Sequence, residues 1–243
     1  MNLLVTRPET EARTTQRRLE AMGHHVLLAP LLRIAHETPP LHLNKVQALV
    51  VTSRNAVRAL QVHPDWDRIA ELPLFAVGGG TGEAARKAGF HTIAEGPAGG
   101  AELAELIAQS LDPNGGTLLH ASGDVIAFDL AEVLLPLGFT VRRSIVYRSI
   151  ASQELPEAVR VALREHSLDA VLLMSPRTSE IWVQLVRLAD LETEARRLVH
   201  VCLSEAVAGP LRQLQGAVVQ VAVQPNSEEM LALIAHLSST SDQ

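Results

Sequence analysis

Short runs of apolar residues alternate with amphipathic segments along nearly the whole chain. Strand-like runs occupy ten positions: Asn2–Thr6, His25–Ala29, Val46–Val51, Leu74–Val77, His91–Ala94, Thr117–His120, Thr140–Tyr147, Ala170–Met174, Leu198–Leu203 and Val218–Val221. Most of the segments between them have the pattern of helices, the clearest being Glu9–Met22, Ala101–Leu111, Val125–Leu137 and Ser227–Leu237. Alternation of this kind predicts βαβ units and an α/β fold whose sheets are mostly parallel.

The number of strands and a weak internal repeat both indicate two sheets. Ten strands are many for one doubly wound sheet in a chain of 243 residues. Val50–Asn55 and Leu173–Thr178 share an apolar strand, a small hydroxyl residue and the start of a helix. Phe90–Ile107 and Ala217–Ile234 align without a gap as a strand, a proline-containing turn and a helix. We therefore expect two doubly wound parallel-sheet domains of similar topology.

Two extended stretches, 31–45 and 145–151, interrupt this alternation and predict connections between domains. The segment between them, 46–144, contains five strands and is complete by itself. The chain after it contributes three clear strands, and the N-terminal strand–helix–strand brings that number to five. We predict a discontinuous α/β domain of residues 1–30 plus 152–243, an inserted α/β domain of residues 46–144, and a two-stranded linker.

Composition and charge exclude several classes of protein. The net charge is −6 and no basic block occurs, so no nucleic-acid partner is expected. The longest apolar runs, such as Val26–Leu32, are too short to span a membrane, and the first residues lack the apolar centre of a signal peptide. We therefore expect a cytoplasmic protein. We also expect a monomer, because no exposed heptad or apolar stripe stands out.

Cysteine and histidine usage predicts no metal site. The single cysteine, Cys202, excludes an internal disulfide and a cysteine-based zinc site. The ten histidines show no His-x-x-x-His or His-Glu-x-x-His spacing, and the adjacent His24 and His25 cannot face one partner. His120 and His200 lie in strands and are interpreted as core residues with hydrogen-bond partners.

The ends of the predicted strands carry hydroxyl residues, glycines and a few arginines. In open α/β sheets ligands bind at this edge, where helix N-termini present free N–H groups. Any one serine or threonine there is most simply a helix cap. Together, such ends would supply many donors for a ligand with several carboxylates. The candidate ligand-binding residues are Thr6, Arg7, Thr52, Ser53, Asn55, Gly78, Gly80, Thr81, Ser122, Gly123, Ser175, Arg177 and Ser204.

A glycine-rich turn offers a competing interpretation. Gly80–Ala85 fits the G-x-G-x-x-A dinucleotide pattern, and the acidic residue Glu95 follows it. However, the glycines follow the second strand of their unit, the helix predicted from Gly82 to Gly89 is short, and Glu95 comes early. A tight turn that lets the backbone approach a ligand is favoured. A nucleotide-dependent enzyme that uses Gly78–Gly82 and a non-catalytic module that binds a small anion stay open as alternatives.

Tyr147 is the only tyrosine in the chain, and it lies where the predicted strand Thr140–Tyr147 enters the linker. A phenol at this position is explained either by packing at a hinge or by proton donation to a ligand.

These residues, taken in order, resemble the uroporphyrinogen-III synthase family over nearly the whole chain. The resemblance is carried by short patterns whose order and spacing are moderately specific. They are Val5-Thr6-Arg7-Pro8, Val51–Val57, Ala76–Thr81, Gly123 before a helix, Gly138–Val141 running into Val146-Tyr147-Arg148, and Ser175-Pro176.

The resemblance implies two α/β domains joined by a two-stranded linker and a cyclising hydro-lyase that uses no cofactor or metal. The implied substrate is hydroxymethylbilane, which carries eight carboxylates and which hydroxymethylbilane synthase would supply. In the family, water leaves ring A, ring D attacks the resulting azafulvene, and a spirocyclic intermediate lets ring D invert to give uroporphyrinogen III.

The resemblance also assigns residues. Tyr147 matches the tyrosine thought to assist departure of the hydroxyl. Five more residues match substrate-contacting turns: Thr52, Ser53, Gly80, Thr81 and Ser175. The turn Ser204–Val207 departs from the Gly and Thr that the family often has there, which puts the role of a threonine at that turn in doubt.

Overall fold

The computed structural model describes residues 1–97 and 99–241. Its strands are β1 (Asn2–Val5), β2 (His25–Leu28), β3 (Leu32–His36), β4 (Val46–Val51), β5 (Leu74–Val77), β6 (Ile93–Gly96), β7 (Thr117–Gly123), β8 (Thr140–Ala151), β9 (Ala170–Leu173), β10 (Val199–Cys202) and β11 (Val218–Val221). Its helices are α1 (Glu9–Ala21), α2 (Arg54–Gln61), α3 (Trp66–Ala70), α4 (Gly78–Ala88), α5 (Gly100–Ser110), α6 (Leu130–Leu134), α7 (Glu157–Arg164), α8 (Pro176–Leu188), α9 (Glu192–Ala195), α10 (Glu205–Ala208) and α11 (Ser227–Ser241). Three short 3-10 segments occur at 113–115, 135–137 and 209–213.

Several element boundaries are shifted from the sequence predictions, and the following departures are the largest. The segment expected to be a linker contains the strand β3. The helix predicted over Val125–Leu137 is reduced to α6, because Asp129 caps it by accepting a hydrogen bond from the N–H of Ala131 and Val125 is 61% exposed, with no packing to hold a longer helix. The helix predicted from Gly82 instead begins at Gly78, so the glycines form its first turn.

The chain divides into two compact units. Unit 1 comprises Met1–Arg33 and Ile150–Gln243, and unit 2 comprises Ile34–Ser149. Unit 1 contains a five-stranded parallel sheet in the order β11-β10-β9-β1-β2. The six-stranded sheet of unit 2 has the order β3-β8-β7-β4-β5-β6, and its pairs from β8 to β6 are parallel.

Each sheet is buried on both faces. Along β1, Leu4 belongs to an apolar cluster with α7 and α8, whereas Leu3 and Val5 belong to a cluster with α1 and α11. Along β4, Val51 packs with α2, and Val50 packs with α5 and α6 on the other face. Double-sided burial explains why these strands are continuous aliphatic runs.

The two sheets share one strand order. In unit 2, β4 is central, β5 and β6 follow to one side, and β7 and β8 follow to the other. In unit 1, β9 takes the central place, with β10 and β11 on one side and β1 and β2 on the other. The prediction of two doubly wound sheets of similar topology is confirmed, with the strands of unit 1 circularly shifted along the chain.

β3 and β8 pair at the edge of the unit 2 sheet, and the chain passes between the two units within these strands. The N–H of Ser152 donates to Leu31 O at 3.0 Å, and the N–H of Glu37 donates to Val146 O at 2.8 Å. These bonds progress in opposite directions along the two segments, so the pair is antiparallel. An ion pair between Arg148 and Glu37 at 3.1 Å lies on the same pair.

His200 is a neutral imidazole in the core of unit 1. Trp182 Nε1 donates to its Nε2 at 3.1 Å, and its Nδ1 lies 3.3 Å from Val218 O, an arrangement satisfied by the tautomer that carries its proton on Nδ1. Burial lowers the pKa of His200 to about 4. Burial also lowers the pKa of His120 to about 4, but His120 Nε2 has no hydrogen-bond partner among the described residues, contrary to expectation.

These histidines predict a loss of stability in mild acid. In the unfolded chain these histidines become protonated below their usual pKa of 6.5. In the folded protein the buried imidazoles stay neutral down to about pH 4. The free energy of unfolding should therefore fall as the pH falls, by up to about 1.4 kcal/mol per pH unit for each histidine. Urea unfolding between about pH 7 and pH 5 measures the slope. His200→Gln should remove about half of the contribution that His120 and His200 make together, and a slope equal to that of the unaltered protein would contradict the assignment.

Candidate functional site

The carboxyl ends of parallel strands share one edge of each sheet. In unit 2 this edge carries Ser53 after β4, Gly78 after β5 and Gly123 at the end of β7. In unit 1 the corresponding edge carries Ser175 after β9 and Ser204 after β10. The topology therefore brings the predicted site residues together within each sheet.

Two of the predicted serines cap the helices that follow them. Ser53 Oγ accepts a hydrogen bond from the N–H of Asn55 at 3.1 Å, at the start of α2. Ser175 Oγ accepts from the N–H of Thr178 at 3.2 Å and lies 2.7 Å from Thr178 Oγ1. Asn55 is also engaged, because its Oδ1 accepts from Arg58 at 3.0 Å. These side chains shape the turns and satisfy one donor each.

The first turn of α4 is open in comparison. The helix begins at Gly78, directly after β5, and no side chain caps it. Gly78 has a φ of +65°, which favours glycine, and a side chain built on the exposed Gly80 would meet no atom within 4 Å. Thr81, which completes the turn, is buried. The uncapped N–H groups of this turn are suited to an anion such as a carboxylate.

The same turn departs from a dinucleotide-binding loop. Gly80, the first glycine of the G-x-G-x-x-A pattern, is already the third residue of α4 and does not precede the helix. Glu95 forms an ion pair with Arg86, and its carboxylate lies where a side chain on Gly82 would lie. Its carboxylate is therefore held by α4, which argues against the nucleotide alternative.

Other predicted residues have partners within the protein. Thr6 is fully buried and its hydroxyl donates to Leu172 O at 2.7 Å. Ser122 is 1% exposed and its Oγ accepts from Arg143 Nε at 2.8 Å. Arg7 donates to Thr15 Oγ1 at 3.3 Å.

Three further predicted residues lie at turns. Thr52 and Arg177 are half-buried beside the starts of α2 and α8. Ser204 precedes the four-residue helix α10 without a side-chain capping bond.

Tyr147 lies at the carboxyl edge of unit 2, next to Gly123. The two residues are register partners on β8 and β7, and the side chain of Tyr147 is 9% exposed. A Cβ placed on Gly123 would lie 2.6 Å from Tyr147 Cζ and 2.8 Å from its Oη. Among the described residues the phenol has no hydrogen-bond partner. The ring is therefore held in place by packing, and its hydroxyl makes no hydrogen bond to the described residues.

Sequence reasoning missed Arg143, which binds the end of β7 where Tyr147 pairs with it. Arg143 donates to the end of β7, and Asp124 bonds to the backbone of β8 on either side of Arg148. The feature of the sequence that could have indicated Arg143 is the pair Arg142-Arg143, which lies in a strand that is otherwise partly apolar.

No group of three or more His, Cys, Asp or Glu side chains suited to a metal ion occurs in residues 1–97 and 99–241. Cys202 is buried, and burial raises the pKa of its thiol to about 12. Within the same residues, no helix has the length and apolar character needed to cross a membrane.

Comparison with known proteins identifies the family. The family model described as uroporphyrinogen-III synthase HemD matches residues 13–232. The fold is similar to that of uroporphyrinogen-III synthetase from Helicobacter pylori 26695, with a TM-score of 0.68 and 17% identity over 98% of this chain and 100% of that one. It is also similar to a mutant uroporphyrinogen III synthase from the extremely thermophilic bacterium Thermus thermophilus, with a TM-score of 0.60 and 17% identity over 100% of both chains. Since the family model spans most of the sequence, this chain belongs to the uroporphyrinogen-III synthase family.

Proposed function

We propose that this chain catalyses the reaction of its family, the cyclising dehydration of hydroxymethylbilane to uroporphyrinogen III in haem biosynthesis, without a cofactor. The family match over residues 13–232 carries this proposal. The site geometry supports it, because a phenol without a hydrogen-bond partner among the described residues and an uncapped helix start lie at the carboxyl edge of one sheet.

The substrate would be bound mainly by backbone donors. Hydroxymethylbilane is a polyanion, whereas the protein itself has a net charge of −6. Attraction must therefore come from local N–H groups and helix dipoles. The first turn of α4 has no side-chain cap, and we assign a substrate carboxylate to it. Thr52, Ser53 and Ser175 would shape neighbouring turns in their respective units.

Tyr147 would serve as the general acid. The C–O bond of the hydroxymethyl group on ring A breaks, and the phenol gives its proton to the departing hydroxyl, which leaves as water. The resulting azafulvene is attacked by the substituted carbon of ring D, which gives the spirocyclic intermediate. The bond from that carbon to the bridge toward ring C then breaks, and the freed bridge carbon is attacked by the unsubstituted α-carbon of ring D. The later closure releases a proton from ring D, which restores the phenol. Protonation by a positioned group contributes about 10²–10⁴-fold to rate.

Orientation would supply the specificity. Hydroxymethylbilane cyclises spontaneously to the I isomer, so the enzyme must hold ring D for attack through its substituted carbon. Correct positioning alone is able to lower a barrier by several kcal/mol, on the order of 7–11 in favourable cases. The protein would act as a monomer in the cytoplasm and would receive its substrate from hydroxymethylbilane synthase.

An isomer assay tests the function. The protein, dialysed against a chelator, should convert freshly prepared hydroxymethylbilane to uroporphyrinogen III, whereas heat-denatured protein should leave only the I isomer. Chromatographic separation of the oxidised isomers measures the outcome. Formation of the I isomer alone would favour the anion-binding module. A requirement for added nucleotide, with a raised melting temperature, would favour the nucleotide-dependent alternative.

A further inference from the structure

A β-bulge in β8 places the side chain of Tyr147 on the face of the sheet that packs against α2. Ser122 pairs with Ile145, but the next residue, Gly123, pairs with Tyr147, so Val146 is an extra residue in β8. Val146 and Tyr147 are consequently both buried in the cluster that packs against α2. Without the extra residue, regular alternation would place Tyr147 on the same face as Arg143, which is opposite to the face that it occupies. Bulges characteristically re-aim a side chain in this way.

Arg143 holds the end of β7 from the other face. Its Nε donates to Ser122 Oγ at 2.8 Å, and its Nη2 donates to Gly123 O at 2.7 Å and to Asp124 O at 2.8 Å. One guanidinium thus binds three consecutive residues. A planar fork of donors is preorganised for this task, whereas the ammonium of a lysine is a compact charge on a flexible stem.

Asp124 completes the attachment. Its N–H donates to Tyr147 O at 3.1 Å, and its Oδ1 accepts from the N–H of Ser149 at 3.1 Å. The backbone of Tyr147 is therefore fixed to the same three-residue segment that Arg143 binds, and the ring of Tyr147 lies against Gly123 in that segment.

We propose that Arg143 is a positioning residue for Tyr147: its guanidinium fixes the Ser122–Asp124 segment, and that segment sets the position of the phenol. The catalytic consequence rests on the proposed function, in which this phenol protonates the leaving hydroxyl. The positional claim itself does not depend on catalysis.

The test uses Arg143→Ala with Arg142→Ala as the matched control. Arg142 is the neighbouring arginine of β8 and also donates to backbone carbonyls, those of Leu41 and His42, at 2.9 and 2.8 Å. Each variant removes one positive charge and a set of hydrogen bonds from the same strand. Only Arg143 binds the segment beneath Tyr147.

The position of the phenol can be read without an activity assay. Because Tyr147 is the sole tyrosine, protein labelled with ¹³Cζ-tyrosine gives a single NMR signal. Arg143→Ala should shift or broaden this signal and lower kcat by about 10–100-fold with little change in KM, the scale of loss for a misplaced group. Arg142→Ala should leave both the signal and kcat unchanged. Arg143→Lys, which keeps the charge and is the milder substitution if the alanine variant folds poorly, should shift the signal less.

An unchanged tyrosine signal in folded Arg143→Ala would overturn the proposal, as would an equal shift in Arg142→Ala. A shifted signal with unaltered kcat would uphold the positional role of Arg143 and instead remove Tyr147 from the mechanism.

Discussion

Replacement of Tyr147 by phenylalanine is expected to lower kcat by about 10²–10⁴-fold, the range for loss of a general acid. The substitution removes the hydroxyl and keeps the ring that packs against Gly123. Because the phenol has no protein partner among the described residues, its removal should leave no buried group unsatisfied. KM should change little, since the carboxylates are assigned to backbone donors elsewhere. Steady-state kinetics with isomer analysis measures both quantities.

The product of Tyr147→Phe should still be mainly the III isomer, because ring orientation depends on the whole site and not on one proton donor. Circular dichroism and the melting temperature serve as controls for folding. Turnover close to that of the unaltered enzyme in a well-folded variant would show that Tyr147 acts only in packing. That result would leave the family assignment intact.

Gly123→Ala is expected to lower kcat by roughly 100-fold, the cost of a displacement of about 1 Å in a catalytic group. The added methyl would lie 2.6 Å from Tyr147 Cζ, well inside ordinary contact distance, so the ring must move. Gly123 does not have a positive φ, and the backbone therefore accepts alanine without strain. Gly209→Ala is the matched control, because a side chain there meets no atom within 4 Å.

A double-mutant cycle shows whether Gly123 acts through Tyr147. If the methyl is harmful because it moves the hydroxyl, Gly123→Ala should cost little in a protein that already carries Tyr147→Phe. The two effects would then be strongly non-additive. Full additivity of the two losses would mean that Gly123 acts on the substrate or on the fold by another route. The same kinetic assay, applied to all four proteins, measures the coupling.

Parts of the site followed from the sequence and parts did not. Ser53 and Ser175 were recognisable as turn residues because a small hydroxyl between an apolar strand and a helix has one common use. Ser122 has the same appearance, yet its hydroxyl is buried under Arg143. Whether a hydroxyl at a strand end faces solvent or a neighbouring strand depends on which strand lies beside it. The local pattern of apolar and polar residues does not specify that strand order.

The sequence by itself determined the fold class of this protein and most of its strands, although β3, the length of α6 and the start of α4 did not follow from it. Aliphatic runs and amphipathic segments differ in periodicity, which is a local property that neighbouring residues express directly. Tertiary structure alone decided how Tyr147 is placed. Val146 is an extra residue only with respect to the pairing of β8 with β7. The three acceptors of Arg143 likewise come together only at the end of that pair of strands. Register and cross-strand contacts join residues about 20 positions apart, so no local pattern of apolar and polar residues can specify them.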